Sequence, residues 1–209
     1  MTDTKAESYH YNDSQMGHMH AQFLAPIVQR LRELKPARVL DLGCGNGSLC
    51  RAIKDQGFDV CGFDPSKEGI ELASSANPDI RFLNIGVYDQ PPEEWLGAFD
   101  LVVSTEVVEH LYNPRALPAF AKKVLKPGGH ALITTPYHGY LKNLALSVLD
   151  KWDAHHTVFW EHGHIKFFSR HTLKKLFEDD GYQTCSFKGL GRLPWLWMTM
   201  LMEFKLAER

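Results

Sequence analysis

Three side chains in one short stretch can do acid–base or metal chemistry. Glu106, Glu109 and His110 lie in Thr105-Glu106-Val107-Val108-Glu109-His110-Leu111. Read as a helix, they stand at i, i+3 and i+4 and share one face. Two carboxylates and an imidazole on one face have two functional readings. One is a divalent metal site that binds an acceptor hydroxyl and acidifies it. The other is general-base catalysis by His110, with Glu109 orienting the ring. An exposed polar helix face, or a Glu106 that only satisfies backbone groups, is the alternative without chemistry.

A second set lies upstream, in Val39-Leu40-Asp41-Leu42-Gly43-Cys44-Gly45-Asn46-Gly47. Four residues of strand character run into glycines at alternate positions, and residues 48–56 then read as a helix. Glycine allows positive φ and a close approach of ligand to backbone. The helix N-terminus offers free N–H donors. A tight turn with no ligand is the bland alternative. The G-x-G-x-G spacing departs from the dinucleotide fingerprint G-x-G-x-x-G. Asp41 would also repel a pyrophosphate, whereas an acid there suits an ammonium or sulfonium group. Asp64 follows Gly45 by nineteen positions, at the end of the second strand, where an acid can accept from both ribose hydroxyls. Phe63 and Val87 offer apolar surface to an adenine. A nucleoside with a cationic tail fits this set.

The elements that must position these residues alternate. Strands are expected at 38–42, 60–63, 80–84, 99–104 and 130–134, with helices at 48–56, 68–75 and 116–125, which argues for a parallel sheet with helices on both faces. Met19, Phe23, Ile27, Leu31 and Leu34 predict a preceding helix over 16–34, with a break or kink at Pro26. His18 and His20 lie on it, within possible reach of a ligand. Residues 1–15 read as a mobile arm. After Pro136 the rhythm changes: a helix over 140–152, then a segment to 168 rich in histidine and aromatics. Residues 137–168 read as an inserted lid on the acceptor side, with Trp152, Phe159 and Trp160 excluding water. His155, His156 and His162 line the acceptor pocket or lie in a solvated loop. A helix over 170–180 and strands at 183–187 and 198–206 close the chain, the strands as an antiparallel edge hairpin. The apolar run Pro194–Met198 is either a contact for a greasy substrate or membrane surface, or the entry into the last buried strand.

The 209 residues are 44% hydrophobic and carry a net charge of -2, enough for a single domain with a full core. No global field invites nucleic acid or an anionic membrane. Cys44, Cys50, Cys61 and Cys185 have no metal or redox spacing and read as small buried residues in a reducing cytosol. With no apolar signal core and no spanning run, a cytoplasmic protein is expected.

Val39 to Gly47, Asp64, the strand Phe99-Asp100-Leu101-Val102-Val103 and Leu125-Lys126-Pro127-Gly128-Gly129 resemble the motifs of class I S-adenosylmethionine-dependent methyltransferases, over residues 34–206. The resemblance implies a doubly wound, Rossmann-like α/β fold with a seven-stranded, mostly parallel sheet and a reversed last strand, here a single methyltransferase domain over 1–209. It implies that Gly43, Cys44, Gly45, Asn46 and Gly47 approach the methionine part, with Asp41 near its amino group. Asp64 takes the ribose hydroxyls, Pro65 lies beside the adenine, Val87 contacts it, and Glu106 borders the cofactor. Many relatives carry an acid after the third strand, but here Gly86-Val87-Tyr88 intervenes before Asp89, so no adenine bond is assigned to it.

The Glu-x-x-Glu-His block is similar to that of ubiquinone-biosynthesis O-methyltransferases, and small-RNA terminal 2′-O-methyltransferases share it. That similarity implies His164, in Gly163-His164-Ile165-Lys166-Phe167, as a further ligand or base beside catalytic Glu109 and His110. For a metal held by Glu106, Glu109 and His110, glutamate oxygens favour magnesium or manganese, while imidazole tilts towards manganese, zinc or iron. The implied function is O-methylation of a small-molecule hydroxyl: a phenol or quinone precursor, a sugar or a natural product. The rivals are an RNA 2′-O-methyltransferase, an N-methyltransferase and a cofactor-binding module without transfer. The net charge and the absence of a basic run argue against RNA.

Overall fold

Apolar runs bounded by glycine and proline fold into seven strands: β1 (Arg38–Leu42), β2 (Asp59–Phe63), β3 (Arg81–Leu83), β4 (Phe99–Thr105), β5 (Leu125–Pro136), β6 (Tyr182–Leu190) and β7 (Thr199–Leu206). The structure, a computed structural model, describes residues 18–156, 159 and 163–208. The expected arm at 1–15, Trp160, His162 and the side chains of His18 and His20 lie outside the described residues. The strands form one sheet in the order β3-β2-β1-β4-β5-β7-β6. The first five are parallel, and β7 enters antiparallel between β5 and β6.

The helices are α1 (His18–Leu34), α2 (Ser48–Lys54), α3 (Lys67–Ala76), α4 (Ala116–Val124), α5 (Tyr140–Val148), α6 (Trp152–His156) and α7 (Arg170–Glu178). One core holds Phe23, Ile27 and Leu31 of α1 with Ile53 of α2 against Val39, Leu101 and Val103. The other holds Phe120 of α4 and Phe177 of α7 against Phe63, Phe99 and Phe204. Strands covered on both faces must be apolar throughout, and Leu40, Leu42 and Val102 are fully buried. Phe177 stacks on Phe204 with centroids 4.1 Å apart. The sheet order reverses between β1 and β4, so the connections leaving their carboxyl ends diverge and open a crevice. The glycine loop and Glu106 both start there.

Several expectations change. Pro26 lies inside a continuous α1. The backbone bond it costs is offset by the burial of Phe23, Ile27 and Leu31, roughly 1.5–3 kcal/mol each. Lys126 to Gly129 do not precede β5 but belong to it, taken up where the register against β4 shifts between Phe99 and Leu101. The helix expected over 140–152 ends at Val148 and resumes at Trp152, with Asp150 between at φ 51°. Cys185 is exposed, unlike the other three cysteines, because it sits at a register shift of the edge strand β6. The run 194–198 divides: Trp195 is exposed, while Trp197 packs on Tyr137 and Phe187. Among the described residues no helix is long and apolar enough to cross a membrane.

Buried Glu203 of β7 ties the first helix to the last strand. It accepts from Arg30 at 2.7 and 2.8 Å and lies 2.8 Å from His130 Nδ1. Burial pushes its carboxyl up, but the His130 and Arg30 hydrogen bonds outweigh this and bring it down to about 2, from 4.5. A carboxyl lowered by folding stabilises the native state above its unfolded value and loses that contribution as pH falls through the folded one. In urea titrations, wild type should therefore lose roughly 2–3 kcal/mol through this group between pH 5 and pH 2. Glu203→Gln should lack that part of the slope.

Candidate functional site

The cradle at the end of β1 is built by backbone conformation. Gly43, Gly45 and Gly47 have φ of 82°, 51° and 76°, a region costly for side chains with a Cβ. A Cβ on Gly43 would also collide with Val107, and one on Gly47 would come within 2.8 Å of Ala73 Cβ. Asn46 Oδ1 accepts from Ser48 N–H at 3.3 Å, bracing the start of α2.

Two buried acids flank the loop. Asp64 Oδ2 accepts from Gly45 N–H at 3.0 Å, and Oδ1 from Ser66 N–H at 2.8 Å. Burial raises its carboxyl and these two donors oppose the rise. Asp41 Oδ2 accepts from the Cys50 thiol at 3.3 Å, while Oδ1 has no partner. Burial pushes Asp41 up to about 7, against the Cys50 hydrogen bond and with help from Asp64. A buried acid with an orphaned oxygen is costly, and a cationic ligand group relieves that cost. A glycine backbone without side chains in the way, an acid fixed at the second strand end and the orphaned Asp41 fit a nucleoside with a cationic tail. Cys44 is buried in the loop, its sulfur close to the backbone of Gly62. Pro65 abuts the Gly86 turn, and Val87 is half-buried against the core. Asp89 Oδ2 accepts from Gly86 N–H at 2.7 Å, so that acid serves its own loop.

The acceptor side differs from the helix-face expectation. Only Val108–His110 is helical, as a short 3₁₀ turn, and Glu106 precedes it at φ 54°. The cause is continued pairing with β5: Glu106 N–H donates to the Thr134 carbonyl at 3.2 Å and to Thr134 Oγ1 at 3.1 Å. Thr134 Oγ1 in turn donates to the Glu106 carboxylate at 2.9 Å. Of Glu106, Glu109 and His110, expected to hold a metal, the structure brings Glu109 and His110 together with His164, while Thr134 holds the Glu106 carboxylate outside that group. Ligating atoms of Glu109, His110 and His164 all lie within 4.8 Å of one another.

Glu109 is only 1% exposed. Its Oε2 accepts from Thr135 Oγ1 at 2.9 Å. Its Oε1 has no hydrogen-bond partner and lies 4.0 Å from Nε2 of both His110 and His164. The two rings meet edge to face at 5.0 Å. The segment carrying His164 is pinned by Ile165 and Lys166, whose N–H groups both donate to the Glu109 carbonyl at 3.0 Å. Burial holds the Glu109 carboxyl well above its usual range, and Glu106 adds to this. Burial takes Glu106 up to about 7, opposed by Thr134 and Lys142. Burial, then His110 and three further basic groups, bring His164 down to about 4.

Thr134, Thr135, His138 and Lys142 complete this side and were not singled out in the sequence. Their signal was position: Thr134-Thr135-Pro136-Tyr137-His138 ends a parallel strand, where ligands gather in open α/β sheets. His155 and His156 are half-buried rather than solvated, packing around His138. Trp152 is partly covered by His156, whereas Phe159 is 97% exposed and covers nothing.

A doubly wound sheet with a cradle for a cationic nucleoside, beside an acid–imidazole cluster, defines a group-transfer enzyme. The comparisons agree. The family model described as a methyltransferase domain matches residues 16–186. The ubiquinone biosynthesis O-methyltransferase of Aliivibrio fischeri is 27% identical over 169 residues, spanning 78% of this chain and 71% of that protein. The human mitochondrial ubiquinone biosynthesis O-methyltransferase is 32% identical over 171 residues, 79% of this chain and 46% of that one. The solved S-adenosylmethionine dependent methyltransferase of Mesorhizobium loti shares the fold with a TM-score of 0.64 at 20% identity, over 85% of this chain and 96% of that chain. The chain belongs to the methyltransferase domain family, and it is an S-adenosylmethionine-dependent methyltransferase.

Gly43→Ala tests the cradle. The strained φ and the collision with Val107 should weaken S-adenosylmethionine about tenfold, read by calorimetric titration, for a cost of about 1–2 kcal/mol.

Proposed function

We propose that this enzyme methylates a hydroxyl oxygen of a small molecule, a phenol or quinone precursor, using S-adenosylmethionine. The acceptor class is supported by the relatives named for ubiquinone biosynthesis and by the block Glu106-Val107-Val108-Glu109-His110. Gly43, Cys44, Gly45, Asn46 and Gly47 hold the methionine part, with Asp41 towards its ammonium. Asp64 takes the ribose hydroxyls, and Pro65 and Val87 flank the adenine. Glu106, held by Thr134, borders the cofactor. Helices α5 and α6, within the insertion 137–168, cover the acceptor.

The reaction needs an oxygen lone pair aligned behind the methyl carbon while the carbon–sulfur bond breaks and the thioether leaves. The sulfonium supplies the leaving group, so the protein's task is alignment and removal of the acceptor proton. Glu109, His110 and His164 serve that task. The observation that carries this is Glu109 Oε1, buried, unpartnered and 4.0 Å from two imidazole nitrogens. That spacing is too long for a hydrogen bond that would orient either ring. One carboxylate and two imidazoles around one point would fit a divalent cation, manganese, zinc or iron better than magnesium. When bound, such an ion acidifies a coordinated hydroxyl.

The test supplies labelled cofactor with catechol and with aniline. Label should appear on the catechol oxygen, vanish on chelation and return with magnesium or manganese. Calorimetric titration of manganese should show one site, lost in Glu109→Gln. Label on the aniline nitrogen alone would remove the hydroxyl reading.

A further inference from the structure

Lys142 of α5 is the only lysine or arginine buried among the described residues, at 4% exposure. No hydrogen bond or ion pair reaches its ammonium there. Burying a lysine without a counter-ion is costly, and the described surroundings do not offset it. Among the described residues the one acid that acts on it, Glu106, already accepts from Thr134 and makes no ion pair with it. The other charge acting on it is Arg192, which repels it. Its other described neighbours include the imidazoles of His138 and His155, which burial brings down to about 3 and about 4. Burial, with Arg192, brings Lys142 itself down to about 8, against the pull of Glu106, so it remains mostly charged at neutral pH. Neutral imidazoles and one buried cation make a place for a single negative charge.

We propose that Lys142 binds a carboxylate carried by the methyl acceptor, holding the acceptor with its hydroxyl towards Glu109, His110 and His164. The proposal rests on the O-methylation reading for the acceptor's identity as a hydroxyl compound. One buried monocation balances a monoanion, which favours a carboxylate over a phosphate dianion. The cofactor's own carboxylate is the wrong partner by position. The glycine loop leaves β1, whereas Lys142 follows β5, two strands away across β4 and beside His164.

The test compares 3,4-dihydroxybenzoate with the uncharged 3,4-dihydroxybenzamide, by calorimetric titration into enzyme saturated with S-adenosylhomocysteine. Wild type should bind the carboxylate about tenfold or more tighter than the amide. Lys142→Met should remove that preference, leave the amide within about twofold and leave S-adenosylhomocysteine binding unchanged. Lys142→Gln serves as a second variant should the methionine variant melt early. Equal binding of the two compounds by wild type, no binding of the carboxylate, or a loss confined to S-adenosylhomocysteine would each overturn the proposal. Methyl transfer is read separately on the same compounds. Lysine-dependent binding of the carboxylate without transfer to either hydroxyl keeps the lysine assignment and discards the O-methylation reading.

Discussion

Glu109→Gln should lower kcat by about 10²–10⁴ while the protein stays folded and binds its cofactor normally. Glutamine keeps the size of the side chain, and its amide oxygen can still accept from Thr135 Oγ1 as Oε2 does now. The backbone carbonyl that pins Ile165 and Lys166 is untouched, so the His164 segment stays in place. What disappears is the titratable carboxyl facing His110 and His164, which is the one feature the proton-removal role requires. Single-turnover transfer with labelled cofactor measures the effect, and calorimetry with S-adenosylhomocysteine checks that binding has not moved. Glu106→Gln is the control: its carboxylate is held by Thr134 outside the cluster and should cost about tenfold or less. If Glu106→Gln proved the more damaging and Glu109→Gln kept turnover within threefold, the cluster would be wrongly assigned.

The contrast between these two glutamates marks where the sequence stops being legible. Around Gly43 to Gly47 local chemistry decides the structure: an apolar run must pair, and alternate glycines accept left-handed φ where other residues resist. The strand–helix rhythm and the terminal hairpin were readable for the same reason. Glu106 was misplaced because i, i+3, i+4 spacing presumes a helix. Two hydrogen bonds from its N–H to Thr134, a residue twenty-eight positions on, prolong the strand edge instead. His164 reaches Glu109 through backbone bonds from Ile165 and Lys166, a pairing that no local pattern records. Lys142 is harder still. On α5 the lysine is buried while Tyr140 and Val148 are 79% and 75% exposed. A helix that turns its charge inward and its apolar groups outward inverts the rule by which amphipathic faces are read. Such inversion is expected where an element covers a site rather than a core.

Asp64→Ala should have an effect on cofactor binding as large as that of Glu109 on turnover, raising the dissociation constant about 10²–10³-fold. Its two oxygens hold Gly45 N–H and Ser66 N–H at 3.0 and 2.8 Å, which fixes the glycine loop relative to the end of β2. Each is a backbone hydrogen bond to a buried carboxyl oxygen, worth roughly 1–3 kcal/mol to lose. Each oxygen keeps further acceptor capacity for the ribose hydroxyls. Alanine removes the ribose contact and releases the loop together, and two such losses reach the stated range. Asp64→Asn separates them. Its amide oxygen replaces one acceptor, but its NH₂ group faces a backbone donor, so it should fall between wild type and alanine. Because Asp64 acts on the donor rather than the acceptor, kcat at saturating cofactor should stay within about threefold while the cofactor KM rises. Equal falls in kcat for both variants, with KM unmoved, would show that this carboxylate serves the chemistry and not the ribose.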